Sequence, residues 1–266
     1  MARAIGASAR AGIAYFITCI VDHYQEIVKM DELREELEEY ARGLGVDFFG
    51  VADLTDDQAH SFILRQGGEH ISGFPKSVSL GIRLLDPVVD QLYRHEEPSA
   101  LYSYRGLYNS ANANLDRAAL LIAKKIQEAG FKAYPIPASQ TIDDRKLEGA
   151  ISHKLSAHLS GLGWIGKSCL LITPEHGPRV RFATILTDAP FEPGKPVKDE
   201  CGDCRDCVDI CPPGAFTGAS FDASEPRDVR FRAHQCRDYT QRRAQQLGEG
   251  LCGLCVYVCP YGSNER

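Results

Sequence analysis

The chemistry in this sequence is concentrated in eight cysteines between positions 201 and 259. They read Cys201-x2-Cys204-x2-Cys207-x3-Cys211-Pro212, then a separate Cys236, then Cys252-x2-Cys255-x3-Cys259-Pro260. In a run of the first kind, three thiolates hold one iron–sulfur cubane and the fourth reaches across to another. The second run is one ligand short, and Cys236, 16 residues upstream, is the replacement. The spacing therefore assigns Cys201, Cys204, Cys207 and Cys259 to one 4Fe–4S cluster, and Cys211, Cys236, Cys252 and Cys255 to the other. Eight thiolates at four per cubane leave none over. Structural zinc often uses C-x2-C pairs, but the x2-x2-x3-Pro run is not a zinc-ribbon spacing. Disulfides require an oxidising compartment, and nothing in the sequence looks exported. Two cubanes carry out low-potential one-electron transfer, tuned by hydrogen bonds and solvent around the sulfurs.

The elements that must position these thiols divide at the proline-rich stretch 190–196, which reads as a domain boundary. The expected organisation is a leader or start-site extension over 1–29, an α/β or α+β domain over 30–190, and a small cluster-bearing domain over 191–266. Met30-Asp31-Glu32 looks like a helix start, with acidic residues in its first turn. Apolar Leu33, Leu37 and Tyr40 carry that helix to Gly43. Strands are expected over 46–52 and 77–85, with a helix around 56–66 between them. A long helix should run from about Asn109 to Ala129, with Leu115, Ala119, Ile122 and Ile126 on one face. A strand at 131–136, a helix at 147–160 and two strands at 168–173 and 180–187 complete the front part, the last two joined by a hairpin at 174–178.

Composition fits an ordinary globular chain: 266 residues, 44% hydrophobic and 25% charged, with a formal charge of −6. That charge argues against a general nucleic-acid binder. Arg227, Arg230, Arg232, Arg237, Arg242 and Arg243 crowd around Cys236; they read as a solvated face, or as a dock for an acidic electron donor or a phosphate backbone. No apolar run reaches the 18 residues of a membrane span. The apolar stretch 11–21 follows Arg3 and Arg10 but lacks a cleavage site, so a cytoplasmic protein is expected. Cys19 and Cys169 stand outside the cluster pattern.

Gly161-Leu-Gly-Trp-Ile-Gly166-Lys167-Ser168 matches a phosphate-binding loop by its letters. That loop demands a strand before the glycines and a helix after them. Here the glycines close a helix and an apolar strand follows, and Trp164 and Ile165 put bulk where a phosphate cradle needs bare backbone. The glycines read instead as a turn, or as a place where backbone approaches something flat.

That segment, continued by Leu-Leu-Ile-Thr-Pro, by Leu186-Thr187-Asp188 and by the double cysteine run, resembles the epoxyqueuosine reductase family, which is related to reductive dehalogenases. The resemblance spans roughly residues 100–262. It implies a cobalamin-binding front domain and a ferredoxin-like tail whose clusters feed electrons to cobalt. In that reading Gly163, Trp164, Ile165, Gly166, Lys167 and Ser168, with Ser139 and Gln140, are the candidate cofactor-binding residues. Tyr102 and Tyr104 are the candidate catalytic groups. The sequence departs from the family where many members carry a V-D-S-A-P stretch with an acidic aspartate, since Ile136-Pro137-Ala138-Ser139-Gln140 stands there. It also ends soon after Cys259, before the helical repeats that many of those enzymes use on tRNA. A D-x-H-x-x-G motif is incomplete at His70-Ile-Ser-Gly73, so cobalamin would bind base-off, without a protein histidine beneath it. His153 and His158 read as surface or helix-end residues.

The expected activity is a cobalamin-dependent or corrinoid-activating reductase supplied by an external low-potential donor, with a small molecule or a corrinoid as the favoured substrate and tRNA as a less favoured one. The rival is a non-catalytic electron carrier whose front domain is a docking module; a third class is a nucleotide-dependent enzyme using Lys167.

Overall fold

The computed structural model describes Gln25, residues 27–56 and residues 69–262. Helix α1 is already under way at Ile27, upstream of the expected start at Met30, and runs to Gly43. Strand β1 (Phe48–Asp53) follows. The helix expected around 56–66 and the stretch 1–24 lie outside the described residues. A single turn, α2 (Glu69–Ser72), leads into β2 (Lys76–Arg83). Next come α3 (Asp86–Asp90), with proline in its first turn, and the long helix α4 (Pro98–Glu128). Strand β3 (Ala133–Ile136), helix α5 (His153–Leu159), the two-residue strands β4 (Trp164–Ile165) and β5 (Leu171–Ile172), and β6 (Val180–Thr187) complete the front part. The remainder carries α6 (Asp206–Asp209), α7 (Ala233–Leu247) and α8 (Leu254–Tyr257).

One sheet organises the front part, in the order β1-β2-β6-β3, and every neighbouring pair is antiparallel. Mixed helix and sheet is thus observed, and the antiparallel pairing places it on the α+β side of the expected alternatives. One face packs on α1 and α4 through Leu37, Val78, Leu80, Leu115, Ile122 and Ile185. The spacing of Leu115, Ala118, Ala119, Ile122 and Ile126 along α4 makes the apolar stripe that seats it there. Each such leucine or isoleucine contributes about 1.5–3 kcal/mol by leaving water. The other face is covered by α5, where the polar alternate positions of β2 meet no water. The Ser77 and Ser79 hydroxyls each lie 2.8 Å from the Ser156 hydroxyl, so the buried polar row satisfies itself.

Several elements differ from the sequence reading for local reasons. Helix α4 begins eleven residues before Asn109, because Pro98 is pre-set for a first helical turn and Leu101 and Tyr104 extend its buried stripe. The helix expected over 147–160 is only α5. The Asp143 carboxylate accepts the Arg145 and Lys146 N–H groups in a local turn, and Leu147 is left-handed (φ 57°), which breaks any helix there, until Ser152 caps α5 through the Leu155 N–H. The strand expected over 168–173 shrinks to β5, which pairs with β4 and not with β6.

The stretch 190–196 has no regular structure, yet it is not a free linker. The Gly194 N–H donates to Val51 O at 2.8 Å. A third core cluster crosses the boundary, joining Leu84, Leu92, Tyr104 and Ala111 to Val256. No described helix is long and apolar enough to cross a membrane.

Candidate metal centre and the cavity beside it

The short helices α6 and α8 pack against each other and carry Cys207 and Cys255, the interior cysteines of the two runs. Cys236 is delivered by the first turn of α7. The eight thiols and Cys169 are all free. Burial, and then the nearness of Cys259, Cys201 and Cys204, pushes the Cys207 thiol up to about 12. Burial and the neighbours Cys211 and Cys252 raise Cys236 to about 11. Burial likewise raises Cys259 to about 11, with Cys201 and Cys204 adding to it. Cys255 is raised by burial and by Cys252, Cys236, Cys211 and, across the groups, Cys207. Cys207 thus stands near Cys259, Cys201 and Cys204, Cys236 near Cys211 and Cys252, and Cys255 near thiols of both runs, Cys207 among them.

Half-buried thiols that oppose one another's ionisation are a donor set suited to a cationic iron core, which would make them thiolates. Among the described residues, no three His, Cys, Asp or Glu side chains close on a single-ion site. Ligands of a cubane stand around a whole cluster and so lie farther apart than those of one zinc. The sulfurs also have N–H donors. The Trp164 indole N–H donates to Cys201 Sγ at 3.4 Å, and the Ala215 N–H to Cys211 Sγ at 3.3 Å. Backbone N–H groups of Lys167, Leu254 and Tyr261 serve Cys201, Cys252 and Cys259. Such bonds stabilise negative charge on a cluster and raise its potential.

The glycine-rich segment is a β-hairpin against these thiols. The Gly166 N–H donates to Leu170 O at 2.9 Å, closing a turn in which Cys169 is left-handed (φ 53°). No helix follows the glycines, and Lys167 Nζ donates to Gly202 O at 2.6 Å and Cys204 O at 3.1 Å. A Cβ at Gly166 would stand 3.1 Å from Cys201 Sγ, and one at Gly163 only 2.1 Å from Ile172 O. The glycines therefore admit close backbone and sulfur contact, and the lysine ties the first cysteine loop to the hairpin. Trp164, Ile165 and Ser168 are buried.

The arginines around Cys236 are mostly internal fasteners. Arg230 is 3% exposed, lies over the Phe221 ring and donates to Asp222 O. Arg243, 5% exposed, donates to His95 O. Arg227 donates to Leu147 O and Lys146 O, and Arg237 to Asp144 O, so both hold the 143–148 loop of the front part. Arg232 donates to Gly214 O. A solvated or docking face is thus not how Arg227, Arg230, Arg237 and Arg243 are used, whereas Arg232 is exposed; for Arg242 no partner is found among the described residues.

Between that loop, α5, β6 and residues 221–234 lies a cavity of about 770 Å3. Ser139, Gln140 and Ile165, three of the residues singled out in the sequence, line it. Tyr102 and Tyr104 do not. Tyr102 is 55% exposed, with its hydroxyl on Gly248 O, and Tyr104 is buried against Gly253 beside the Cys252 and Cys255 thiols. His153 is no surface residue. Its Nδ1 lies 2.8 Å from Thr184 Oγ1 and its Nε2 2.9 Å from Pro137 O, and burial lowers it to about 4. His158, with Nδ1 2.9 Å from Gly163 O, does serve the helix end as expected. Sequence reasoning missed Lys154, Arg181 and Cys169 as cavity-lining groups. An arginine inside the apolar run Val-Arg-Phe-Ala-Thr-Ile-Leu was the one signal available.

Residues 200–262 match a family described as a 4Fe-4S double cluster binding domain. Over 257 residues the chain is 29% identical to an epoxyqueuosine reductase of Bacillus subtilis, covering 88% of this chain and 64% of the relative. An epoxyqueuosine reductase of Leadbetterella byssophila is 26% identical, with 89% and 82% covered. The chain therefore spans about two-thirds of the length of the Bacillus relative. Among solved structures, the epoxyqueuosine reductase of Bacillus subtilis superposes with a TM-score of 0.58 at 19% identity, covering 89% of this chain and 67% of that one. A catabolic reductive dehalogenase in complex with 3-bromo-4-hydroxybenzoic acid gives 0.64 at 18% identity, with 86% and 32% covered. The chain is thus similar along most of its length to epoxyqueuosine reductases, matches a 4Fe–4S double cluster domain at 200–262, and has a fold like that of the reductive dehalogenases.

Proposed function

We propose that this chain is a cobalamin-dependent reductase, or a reductase that acts on a corrinoid, in which two 4Fe–4S clusters deliver electrons to the cavity. The observation that carries the reading is the position of the cavity. Leu170 lines it and belongs to the same apolar cluster as Cys255, so the cavity wall and the second cysteine run share a packed layer. Electrons entering on the Cys201, Cys204, Cys207 and Cys259 cluster would pass through the Cys207–Cys255 side to the second cluster, and from there to the cavity.

The residues present fit a corrinoid. Ile165, Leu171, Val180 and Phe182 offer an apolar wall for a flat macrocycle. Both ring nitrogens of His153 are committed, so no imidazole lone pair there competes for cobalt. Bound cobalamin supplies a cobalt centre that can be reduced to a nucleophile. The chain's own part is to hold the rim and furnish a proton. The 137–140 loop is pinned three times: Pro137 O on His153, the Ala138 N–H on Asp116 Oδ1 at 2.8 Å, and Ser139 Oγ 3.1 Å from the Tyr108 hydroxyl. That hydroxyl pair is the protic group this loop offers where many relatives have an aspartate.

The solved relatives include an epoxyqueuosine reductase with a tRNA stem loop; for this chain the cavity favours a small molecule or a corrinoid. The test is an anaerobic titration of the reconstituted protein with hydroxocobalamin, followed by its visible absorbance. About one corrinoid per chain, reduced when the clusters are reduced with dithionite, is expected. Absence of corrinoid binding with both clusters in place would leave an electron carrier as the function.

A further inference from the structure

We infer that the cavity takes an anionic oxygen group, a carboxylate or phosphate, against Lys154 and Arg181. This deepens the proposed function, because it rests on the same cavity and names the class of ligand the site accepts.

Six cations line the cavity: Arg145, Lys146, Lys154, Arg181, Arg227 and Arg230. Among the described lining residues only Glu148 and Asp228 are acidic, and the Asp228 side chain is 83% exposed. This excess stands inside a chain whose formal charge is −6. The two cations rooted in the regular elements of the wall are the informative ones. Lys154 Nζ donates to a carbonyl, Cys169 O at 2.6 Å. Arg181 Nε donates to Asn112 Oδ1 at 3.0 Å, and its guanidinium lies 4.2 Å from the centre of the Tyr108 ring. Neither has a carboxylate within ion-pair distance among the described residues.

A partly buried cation without a counter-charge is costly, and burial lowers Lys154 from the ordinary lysine range until an anion restores it; sequences normally pair such a group or replace it. Elsewhere this chain does pair: the most buried arginine of the front part, Arg179, holds both Asp86 and Asp90. Leaving Lys154 and Arg181 on neutral acceptors keeps donor capacity on both groups, since an ammonium has three N–H bonds and a guanidinium five. The apolar wall of Ile136, Ile151, Leu171 and Phe182 suits the body of an organic ligand whose anionic head meets those donors. That head has two sources: a substrate acid, or the phosphodiester of cobalamin's nucleotide loop.

The experiment uses the full chain with both clusters reconstituted, without cobalamin in the first arm. Benzoate and benzamide, alike in shape and different in charge, are titrated by calorimetry. Benzoate should bind at least tenfold more tightly than benzamide. Lys154→Gln and Arg181→Gln should each erode that preference, and Lys154→Arg should retain it; melting curves check that the variants are folded. In the second arm, cobalamin and cobinamide, which lacks the nucleotide loop, are titrated by absorbance. A Lys154→Gln loss confined to benzoate assigns the cations to a substrate acid. A loss for cobalamin that spares cobinamide assigns them to the cofactor phosphodiester. Equal benzoate and benzamide affinities in the parent chain, with the cobalamin-to-cobinamide ratio unmoved in both glutamine variants, would overturn the inference. A shifted cluster potential in those same variants would then mark the cations as counter-charges of the clusters. Failure of cobalamin binding alone would sink the proposed function and leave the benzoate contrast standing.

Discussion

The Trp164 indole N–H aimed at Cys201 Sγ gives a sharp test of the cluster assignment. Trp164→Phe removes this donor while keeping an aromatic ring in a site that is 1% exposed and packed edge-on against Tyr261, 4.8 Å between centroids. A hydrogen bond to a charged acceptor contributes about 1.5–3 kcal/mol, and at 3.4 Å this one belongs at the lower end. Reduction adds one negative charge to the cluster, so the bond is stronger in the reduced state. Taking that difference as about 1 kcal/mol, the one-electron potential should fall by roughly 40 mV. The effect should be confined to the cluster that uses Cys201. The assay is a dithionite titration followed by electron paramagnetic resonance, with Tyr261→Phe as control. That control loses a hydroxyl bonded to Glu200 O at 3.1 Å but no contact to sulfur. An unchanged or raised potential in Trp164→Phe would refute the tuning argument, and equal shifts at both clusters would refute the placement of Cys201.

Cys236→Ser should remove the cluster shared with Cys211, Cys252 and Cys255, leaving one 4Fe–4S signal without spin coupling; two intact clusters in that variant would place the fourth ligand elsewhere. Lys167→Ala should lose the bonds to Gly202 O and Cys204 O, costing about 1.5–3 kcal/mol in unfolding experiments, and should not change nucleotide affinity because the hairpin has no helix N-terminus for a phosphate. Micromolar ATP binding that vanished in this variant would reverse that account.

The parts of the molecule legible in the sequence are those set by short-range rules. The x2 and x3 spacings of the cysteine runs are of this kind, and they correspond to the short turns and helices that carry Cys207 and Cys255. The apolar stripe of α4 is legible for the same reason. Strand β6 is read to the residue because its run Val180–Thr187 is bounded by Pro178 and Asp188-Ala189-Pro190. What could not be read depends on pairs distant in sequence. Nothing local announces that β6 leaves β5 for β2 and β3. Nothing local separates an arginine in solvent from Arg243, whose acceptor His95 O lies 148 positions away. The cavity belongs to this second kind, as its wall joins residues near 140, 154, 181 and 227.

Those long-range arginines also change how the Cys236 segment holds together. From sequence, residues 212–251 look tethered chiefly through one iron. In the structure the Phe216 and Phe231 rings stack at 5.2 Å, and the Arg232 N–H donates to Ala215 O at 2.8 Å. Arg105 forms a two-pronged pair with Glu249 at the far end of the segment, and Arg243 anchors α7 on His95 O. Bidentate arginine–carboxylate contacts are among the stronger polar contacts available to a chain. The segment is therefore braced by protein contacts at both ends and in the middle. Loss of the Cys236 cluster should then leave α7 docked and the cavity wall formed by Phe221, Arg227 and Arg230 in place. Those braces should make metal content and fold separable here, unlike in small metal-dependent domains, and the one-cluster Cys236→Ser protein then serves as an instrument. If it still binds a corrinoid but no longer reduces it, the second cluster is the electron exit to the cavity. If it reduces the corrinoid at the parent rate, the electrons leave from the Cys201 side and the order of the two clusters is the reverse.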